Sequence, residues 1–154
     1  MKKVIIDIFK NHPLYGKYDE SGVREFCKTK GCDKKKTNGI VGFFKSQQKF
    51  YLRDIKLVGE SNIFIYLRID AIRDDRTCDY CLRNDRKIIK IEQSGEFIKH
   101  YSPFALGCRT TAGRISKSLL QSNGIDVNDK NNYISETPPI KCQCEDWLLH
   151  HNWR

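Results

Sequence analysis

Apolar and polar residues alternate along several short stretches of the chain, a pattern that predicts half-buried β-strands. The clearest stretch is residues 63–72, where Leu67 and Ile69 fall on one face and Arg68 and Asp70 on the other. We expect this strand to pair antiparallel with its upstream neighbour across a turn at residues 59–62. The same pattern predicts further strands at residues 4–9, 40–44, 49–58 and 87–92.

Helical signals are fewer and shorter. Residues 21–27 favour a helix with Ser21 as a candidate N-cap, and residues 112–121 favour one on the spacing of Ile115 and Leu119. Residues 146–149 are predicted to form a short apolar helix or strand. Two polar segments, 28–39 and 126–139, are predicted to be loops. The sequence thus predicts one α+β domain over residues 1–154, with a mainly antiparallel sheet and a few short helices.

Charge is unevenly distributed along the 154 residues. The chain has 28 Lys and Arg against 19 Asp and Glu, a formal charge of +9. Residues 1–56, the basic N-terminal third, carry 14 basic and 6 acidic side chains, whereas residues 57–154 are nearly neutral. Such a surplus favours polyanionic partners, above all nucleic acid. A solvated, solubilising surface is the alternative interpretation.

Aromatic residues lie among these cations. Phe43, Phe44, Phe50 and Tyr51 occur in the predicted strands 40–44 and 49–58, where exposed rings would form a stacking platform for bases and inward-facing rings would form core. The candidate nucleic-acid-binding residues are Lys28, Lys30, Lys34, Lys35, Lys36, Lys45, Lys49 and Arg53.

Seven cysteines are many for a chain of this length, and four of them occur as close pairs, Cys78 with Cys81 and Cys142 with Cys144. A C-x-x-C turn directs two thiolates at one centre, and tetrahedral zinc needs four such ligands. These four residues are therefore the candidate zinc ligands, and zinc would fix the C-terminal segment to the sheet. Unrelated reduced thiols, disulfides and a redox pair remain alternatives.

Cys27 and Cys32 form a looser pair, separated by four residues. They could bind a second metal together with His12, His100 or Cys108, although no second closely spaced pair remains to complete such a site. Free thiols, buried or partly exposed, are the alternative.

Two cysteine segments resemble a known family. The segment Asp74-Asp75-Arg76-Thr77-Cys78-Asp79-Tyr80-Cys81 and the later Pro138-Pro139-Ile140-Lys141-Cys142-Gln143-Cys144 are similar to the cysteine signature of phage Mu F-like minor head proteins. The resemblance covers about 30 positions of the C-terminal half; the family's histidine is absent, and Gln143 replaces its arginine. It implies a phage or prophage origin and a zinc-stabilised structural module.

The candidate catalytic motifs are less complete than the cysteine pairs. Asp54-Ile55-Lys56 resembles half of a metal-dependent nuclease site, and Asp74 with Asp75 could act in acid–base chemistry. Residues 107–114 combine small residues and two arginines before a predicted helix, where free N–H groups could bind phosphate; a plain helix start capped by a threonine is the alternative. Adjacent His150 and His151 are expected at the surface.

No stretch approaches the roughly 18 apolar residues of a membrane span, and residues 4–6 are too short for the apolar part of a secretory signal. A cytoplasmic location is expected, or the virion if the protein is phage-encoded. The favoured hypothesis is a non-enzymatic, zinc-stabilised basic module that binds nucleic acid or a nucleoprotein assembly. The alternative is a metal-dependent, nuclease-like enzyme.

Overall fold

A computed structural model describes residues 11–59, 66–91, 96–139 and 142–153. The strand predicted at residues 4–9 lies outside these ranges. Among the described residues the helices are α1 (Glu20–Thr29), α2 (Lys34–Gly59), α3 (Asp79–Arg83), α4 (Lys117–Ser122) and α5 (Cys144–His150), and the strands are β1 (Tyr66–Asp70), β2 (Ile88–Lys90) and β3 (Thr111–Ile115). Two 3₁₀ turns cover Glu96–His100 and Lys130–Asn132. The predicted α+β class is confirmed.

Helix α1 begins one residue before the predicted range, and its N-cap is Asp19, not Ser21. The Asp19 carboxylate accepts a hydrogen bond from the Gly22 N–H at 2.7 Å, which satisfies one of the free donors of the first turn. Val23 and Cys27, four residues apart, are buried against α2. The segment 28–39, predicted as a loop, instead contains the last residues of α1 and the first turns of α2.

Helix α2 replaces the two strands predicted at residues 40–44 and 49–58. Ile40, Phe44 and Tyr51 are buried and lie on one face at helical spacing, so the apolar period is 3.6 and not 2. Gly39 within this helix has a packing role, because a Cβ there would lie 2.6 Å from the Trp153 ring. The indole therefore lies directly on the backbone of α2.

The three strands form an antiparallel sheet in the order β2-β1-β3. Leu67 of β1 lies opposite Ile89 of β2 and Arg114 of β3. The strand predictions at residues 63–72 and 87–92 are therefore confirmed over their described central parts. The pairing with residues 49–58 is wrong, since those residues are helical and β3 occupies the second edge of β1.

The helix predicted at residues 112–121 is divided in two. Residues 111–115 pair with β1, and the Ser116 hydroxyl then accepts a hydrogen bond from the Leu119 N–H and begins α4. The segment 107–114 thus leads into a strand, so neither the predicted phosphate site at a helix start nor the threonine cap exists there. Residues 126–139 are irregular as predicted, apart from the second 3₁₀ turn.

Two apolar clusters lie on opposite faces of β1. Leu67 and Ile69 belong to the larger cluster, which contains the buried residues of α1 and α2 and five cysteines from the C-terminal part of the chain. Tyr66 belongs to a smaller cluster with Ile115 and Leu120. The functional candidates thus meet where α2, the sheet and α5 pack together.

Candidate metal centre and basic surface

Two thiols come from the start of α3. Cys78 is the N-cap residue of this helix and Cys81 lies in its first turn, so the C-x-x-C spacing places them one helical turn apart. Both side chains are buried. The preceding turn is fixed by Thr77, whose hydroxyl donates to the Ile72 carbonyl and also lies 3.1 Å from the Asp74 carboxylate.

Two further thiols come from the start of α5. The sulfur atoms of Cys142 and Cys144 are 3.0 Å apart, and the Glu145 N–H donates to the Cys142 carbonyl at 3.0 Å. This distance exceeds the length of about 2.05 Å of a disulfide bond, and all seven cysteines are free thiols. The structure thus brings both predicted pairs into one buried cluster.

A fifth thiol, Cys108, belongs to the same cluster and was not among the four predicted ligands. Its sulfur lies 3.7 Å from that of Cys81. The preceding Gly107 has φ of +86°, and a Cβ there would lie 2.2 Å from the Cys144 carbonyl oxygen. Only glycine allows the Cys108 loop to approach α5 this closely.

The five thiols, which we call the thiol cluster, form two groups of three that share Cys144. In each group all sulfur atoms lie within 4.8 Å of one another. Four sulfurs bound to one tetrahedral zinc at about 2.3 Å lie about 3.8 Å apart, close to the observed separation of Cys81 and Cys108. The groups are Cys78, Cys142 and Cys144, and Cys81, Cys108 and Cys144. The cluster could therefore hold a metal ion.

Hydrogen bonds between the thiols shift their pKa values in opposite directions. Those with Cys144 and Cys81 lower the pKa of Cys108 well below its ordinary value, and those with Cys108 and Cys142 raise the pKa of Cys144. Bonds from Cys142 and Cys144 likewise lower the pKa of Cys78. The cluster therefore favours thiolates at some positions, and thiolates are the form that metals bind.

Side chains around the cluster fix the loop that carries Cys108. Arg109 donates two hydrogen bonds to the Asp74 carboxylate, at 2.9 and 2.5 Å, and its guanidinium lies 5.1 Å from the centre of the Trp147 ring. From the other side, the Gln47 amide N–H donates to the Cys108 carbonyl at 2.5 Å. The loop is thus held by the turn before α3, by α5 and by α2, as expected of the groups that orient metal ligands.

Cys27 and Cys32 lie elsewhere and belong to no metal-compatible group among the described residues. Burial raises the pKa of Cys27 to about 11, and the nearby Cys32 thiol adds to this. Burial also lowers the pKa of His12 to about 3, and this ring lies among Tyr15 and Tyr51. The described structure therefore offers no geometric support for the second metal site considered from the sequence.

The lysines and arginines of α2 follow one side of the helix. At 3.6 residues per turn, six of them fall within an arc of about 100°, and all six are exposed. The arc contains no acidic residue. We call this surface the basic stripe; its members are Lys34, Lys35, Lys45, Lys49, Arg53 and Lys56.

The three remaining lysines predicted to bind nucleic acid lie outside the stripe. Lys36 faces away from the stripe and donates to the Leu149 carbonyl at 2.8 Å. Lys28 and Lys30 lie at the end of α1, the first 3.9 Å from Glu25 and the second over the Phe26 ring. Within the stripe, Lys45 is ion-paired with Glu20 at 2.6 Å.

Of the two alternatives considered for the aromatic residues of this segment, core packing is observed for all but Phe50. Phe44 and Tyr51 are buried in the core, and Phe43 packs edge-on against Trp147 with ring centres 5.7 Å apart. Phe50 is the exception, since 56% of its surface is exposed and the Arg53 guanidinium lies 5.1 Å from its ring centre.

The catalytic candidates are dispersed. Asp54 and Lys56 lie on α2 and not on a strand, Asp74 is engaged by Arg109, and the Asp75 side chain is 94% exposed. Among the described residues, the groups able to hold a metal consist of cysteines alone.

Comparison with protein-family models, with curated proteins and with solved structures finds no match for this chain. No helix in the described ranges is both long and apolar enough to cross a membrane. A functional proposal therefore depends on the thiol cluster and the basic stripe themselves.

Proposed function

We propose that the protein is a non-enzymatic, zinc-stabilised module that binds nucleic acid, or an assembly containing nucleic acid, through the basic stripe. The observation that carries the proposal is the alignment of six exposed cations along one side of α2 without an intervening acidic residue. Lys34, Lys35, Lys49 and Lys56 make no ion pair within the described residues, so their charges are available to a ligand.

The dimensions of the stripe suit a nucleic-acid backbone. From Lys34 to Lys56 the helix rises about 33 Å, which is close to one turn of a B-form duplex at about 34–36 Å. Phosphates attract such cations regardless of base sequence, and the release of counterions supplies much of the affinity. The stripe therefore supports backbone contact with little readout of duplex sequence.

The thiol cluster would hold zinc through Cys144 and three of the other four cysteines. Five buried thiols supply the soft donors that zinc accepts, and the separation of Cys81 and Cys108 suits a tetrahedral site. Bound zinc would connect the short elements that carry these cysteines. Its role in the proposal is structural, because four cysteine ligands leave no open coordination position for water or a substrate.

The resemblance to Mu F-like minor head proteins gives the proposal a particular form. A component of a phage particle would use a zinc-stabilised module to contact packaged or entering nucleic acid. This form rests on the two cysteine segments alone.

Salt-dependent binding tests the proposal. We expect a labelled duplex to bind, with affinity falling steeply between about 50 and 200 mM salt. Substitution of Lys34, Lys49 and Lys56 by alanine should reduce the slope of log affinity against log salt by about 3, roughly one for each lost phosphate contact. Binding that is absent at 50 mM salt would refute the proposal.

A matched control uses three exposed lysines outside the stripe. Substitution of Lys90, Lys117 and Lys130 by alanine removes the same net charge. We expect this variant to retain most of the wild-type slope. Equal losses in the two triple variants would mean that net charge, and not the stripe, determines binding.

A further inference from the structure

The thiol cluster has five sulfur atoms, one more than a tetrahedral zinc ion binds. They are arranged as two triangles that meet at the sulfur of Cys144. Each triangle has three sulfurs within 4.8 Å of one another, and in the described part of the chain no fourth sulfur lies within that distance of all three. A single zinc would therefore have to draw a fourth sulfur towards one triangle.

No other type of metal ligand joins these triangles. Among the described residues, neither group includes a histidine nitrogen or a carboxylate oxygen. All five cysteines are buried; Cys108 is fully enclosed, and Cys142, the most accessible of them, is 8% exposed. A metal ion in either triangle would thus have three sulfur ligands and little access to water as a fourth.

Three thiolates without a fourth ligand suit Cu(I). This soft ion selects thiolates and is stable with only two or three of them, whereas zinc in structural sites takes four ligands. Three sulfurs in one plane, each about 2.3 Å from a central ion, lie about 4.0 Å apart. The sulfurs of Cys81 and Cys108 are 3.7 Å apart, and those of Cys142 and Cys144 are 3.0 Å apart. Side-chain rotations of the order of 1 Å would therefore complete both triangles.

We propose that the thiol cluster binds two Cu(I) ions, one in each triangle, with Cys144 as the thiolate that bridges them. Binding releases the thiol protons and transfers no electron, because copper enters and remains as Cu(I). Arg109 interacts electrostatically with Cys108 and Cys144 and offsets part of the negative charge of the thiolates. The inference goes beyond the proposed function, since it depends neither on zinc nor on nucleic acid, and the copper-bound form would replace the zinc-bound form.

Anaerobic titration of the reduced, purified protein with Cu(I) tests the proposal, with bathocuproine disulfonate as the competing chelator. We expect binding to end at two copper ions per chain. X-ray absorption should then show three sulfur neighbours for each copper and a second copper within about 4.6 Å, because both ions lie about 2.3 Å from the shared sulfur. A plateau at one copper ion, or at three or more, would overturn the proposal.

Single-cysteine variants test the shared position. Cys108→Ser and Cys142→Ser each break one triangle and should retain one copper ion per chain, whereas Cys144→Ser breaks both and should retain none. Cys32→Ser is the matched control outside the cluster and should retain two. If Cys144→Ser does not fold, as judged by circular dichroism, the two variants that break one triangle still decide. Two copper ions in either of them would show that the triangles are not the binding sites.

The outcomes distinguish this proposal from the proposed function. Protein that contains one zinc as purified and binds the duplex, but takes up only one Cu(I), retains the proposed function and refutes the pair of copper sites. Protein that takes up two Cu(I) ions but binds no duplex retains the copper sites and refutes the nucleic-acid-binding module.

Discussion

Two regions of the protein are stabilised in different ways. The helical pair α1 and α2 buries an apolar face at regular spacing, and α2 alone has 26 residues. From β1 to α5, the helices and strands have three to seven residues each. Isolated helices below about 12–15 residues are marginal in water, so these elements depend on contacts between residues far apart in the sequence. The second region therefore needs the thiol cluster more than the first does.

The two regions share the larger apolar cluster, and several specific contacts also connect them. Trp153 lies on Gly39, Lys36 donates to the Leu149 carbonyl, and Gln47 donates to the Cys108 carbonyl. All three join α2, which carries the basic stripe, to segments next to the thiol cluster. If the thiol cluster binds zinc as proposed, loss of the metal should disturb the second region first and reach α2 through these contacts and the shared apolar cluster.

The largest expected effect is that of Cys144→Ser. Because Cys144 is common to both groups of thiols, its loss should reduce zinc from about one per chain to near zero. Structural zinc in small domains contributes about 10–16 kcal/mol of binding free energy, so we expect a loss of several kcal/mol in stability. Elemental analysis and thermal melts measure both effects.

Cys32→Ser is the control for this variant, since Cys32 lies outside the thiol cluster. It should retain its zinc and its melting temperature. Far-UV circular dichroism of Cys144→Ser should keep part of the helical signal, which α2 supplies. A Cys144→Ser protein that binds one zinc and melts like the wild type would show that the cluster does not hold the metal.

Gly107→Ala should have the next largest effect. Its left-handed φ costs a non-glycine residue about 1–2 kcal/mol, and displacement of the Cys144 backbone adds about 1–3 kcal/mol. We therefore expect a loss of about 2–5 kcal/mol and weaker zinc binding, measured by urea denaturation and competition with a chelator. Gly124 has a similar φ, but no atom lies within 4 Å of a Cβ built there. Gly124→Ala should therefore lose only the cost of the left-handed φ and retain zinc binding.

The smallest effect concerns the ion pair beside the cluster. Hydrogen bonds from Arg109 hold the pKa of Asp74 well below its ordinary value. A carboxyl with a lowered pKa stabilises the fold above its unfolded pKa of about 3.9, and this contribution is lost as the pH falls through the folded value. Asp74→Asn should thus lower the urea midpoint at pH 7, and the difference from wild type should shrink progressively below about pH 4.

Asp75→Asn provides the comparison for this ion pair. Asp75 is the next residue, its side chain is almost fully exposed, and its nearest cation is 4.0 Å away. We expect its urea midpoint to match the wild type at every pH. If Asp74→Asn and Asp75→Asn behave alike, the contact with Arg109 does not stabilise the second region.

The sequence predicted the second region better than the first. Alternation over residues 67–70 was correctly interpreted, because Leu67 and Ile69 are buried while Arg68 and Asp70 are partly exposed. The strand at residues 88–90 was also predicted, although Ile88 and Ile89 are both buried and belong to different apolar clusters. Within α2, Ile40, Val41 and Phe44 suggested a strand when only five residues were considered. The helical period is evident only when all of residues 34–56 are compared, and the glycine at position 39 is explained only by Trp153 above it.

The thiol cluster was partly predictable for a similar reason. Cys78 with Cys81 and Cys142 with Cys144 carry their signal in local spacing. Cys108 stands alone in the sequence, 27 residues after Cys81, and only the folded chain brings the two sulfurs together. Gly107, which the close approach of the Cys144 backbone requires, is the feature of the neighbouring sequence that indicates where Cys108 lies.

The shared position of Cys144 also affects the order of events during biosynthesis. Helix α2 is complete before the first cluster cysteine leaves the ribosome, so the helical pair can form early. Both thiol groups lack a member until Cys144 emerges, 66 residues after Cys78. The thiols made first must remain reduced during that interval, so if the cluster binds zinc as proposed, the oxidation state of the nascent chain will decide how much of the newly made protein can bind it.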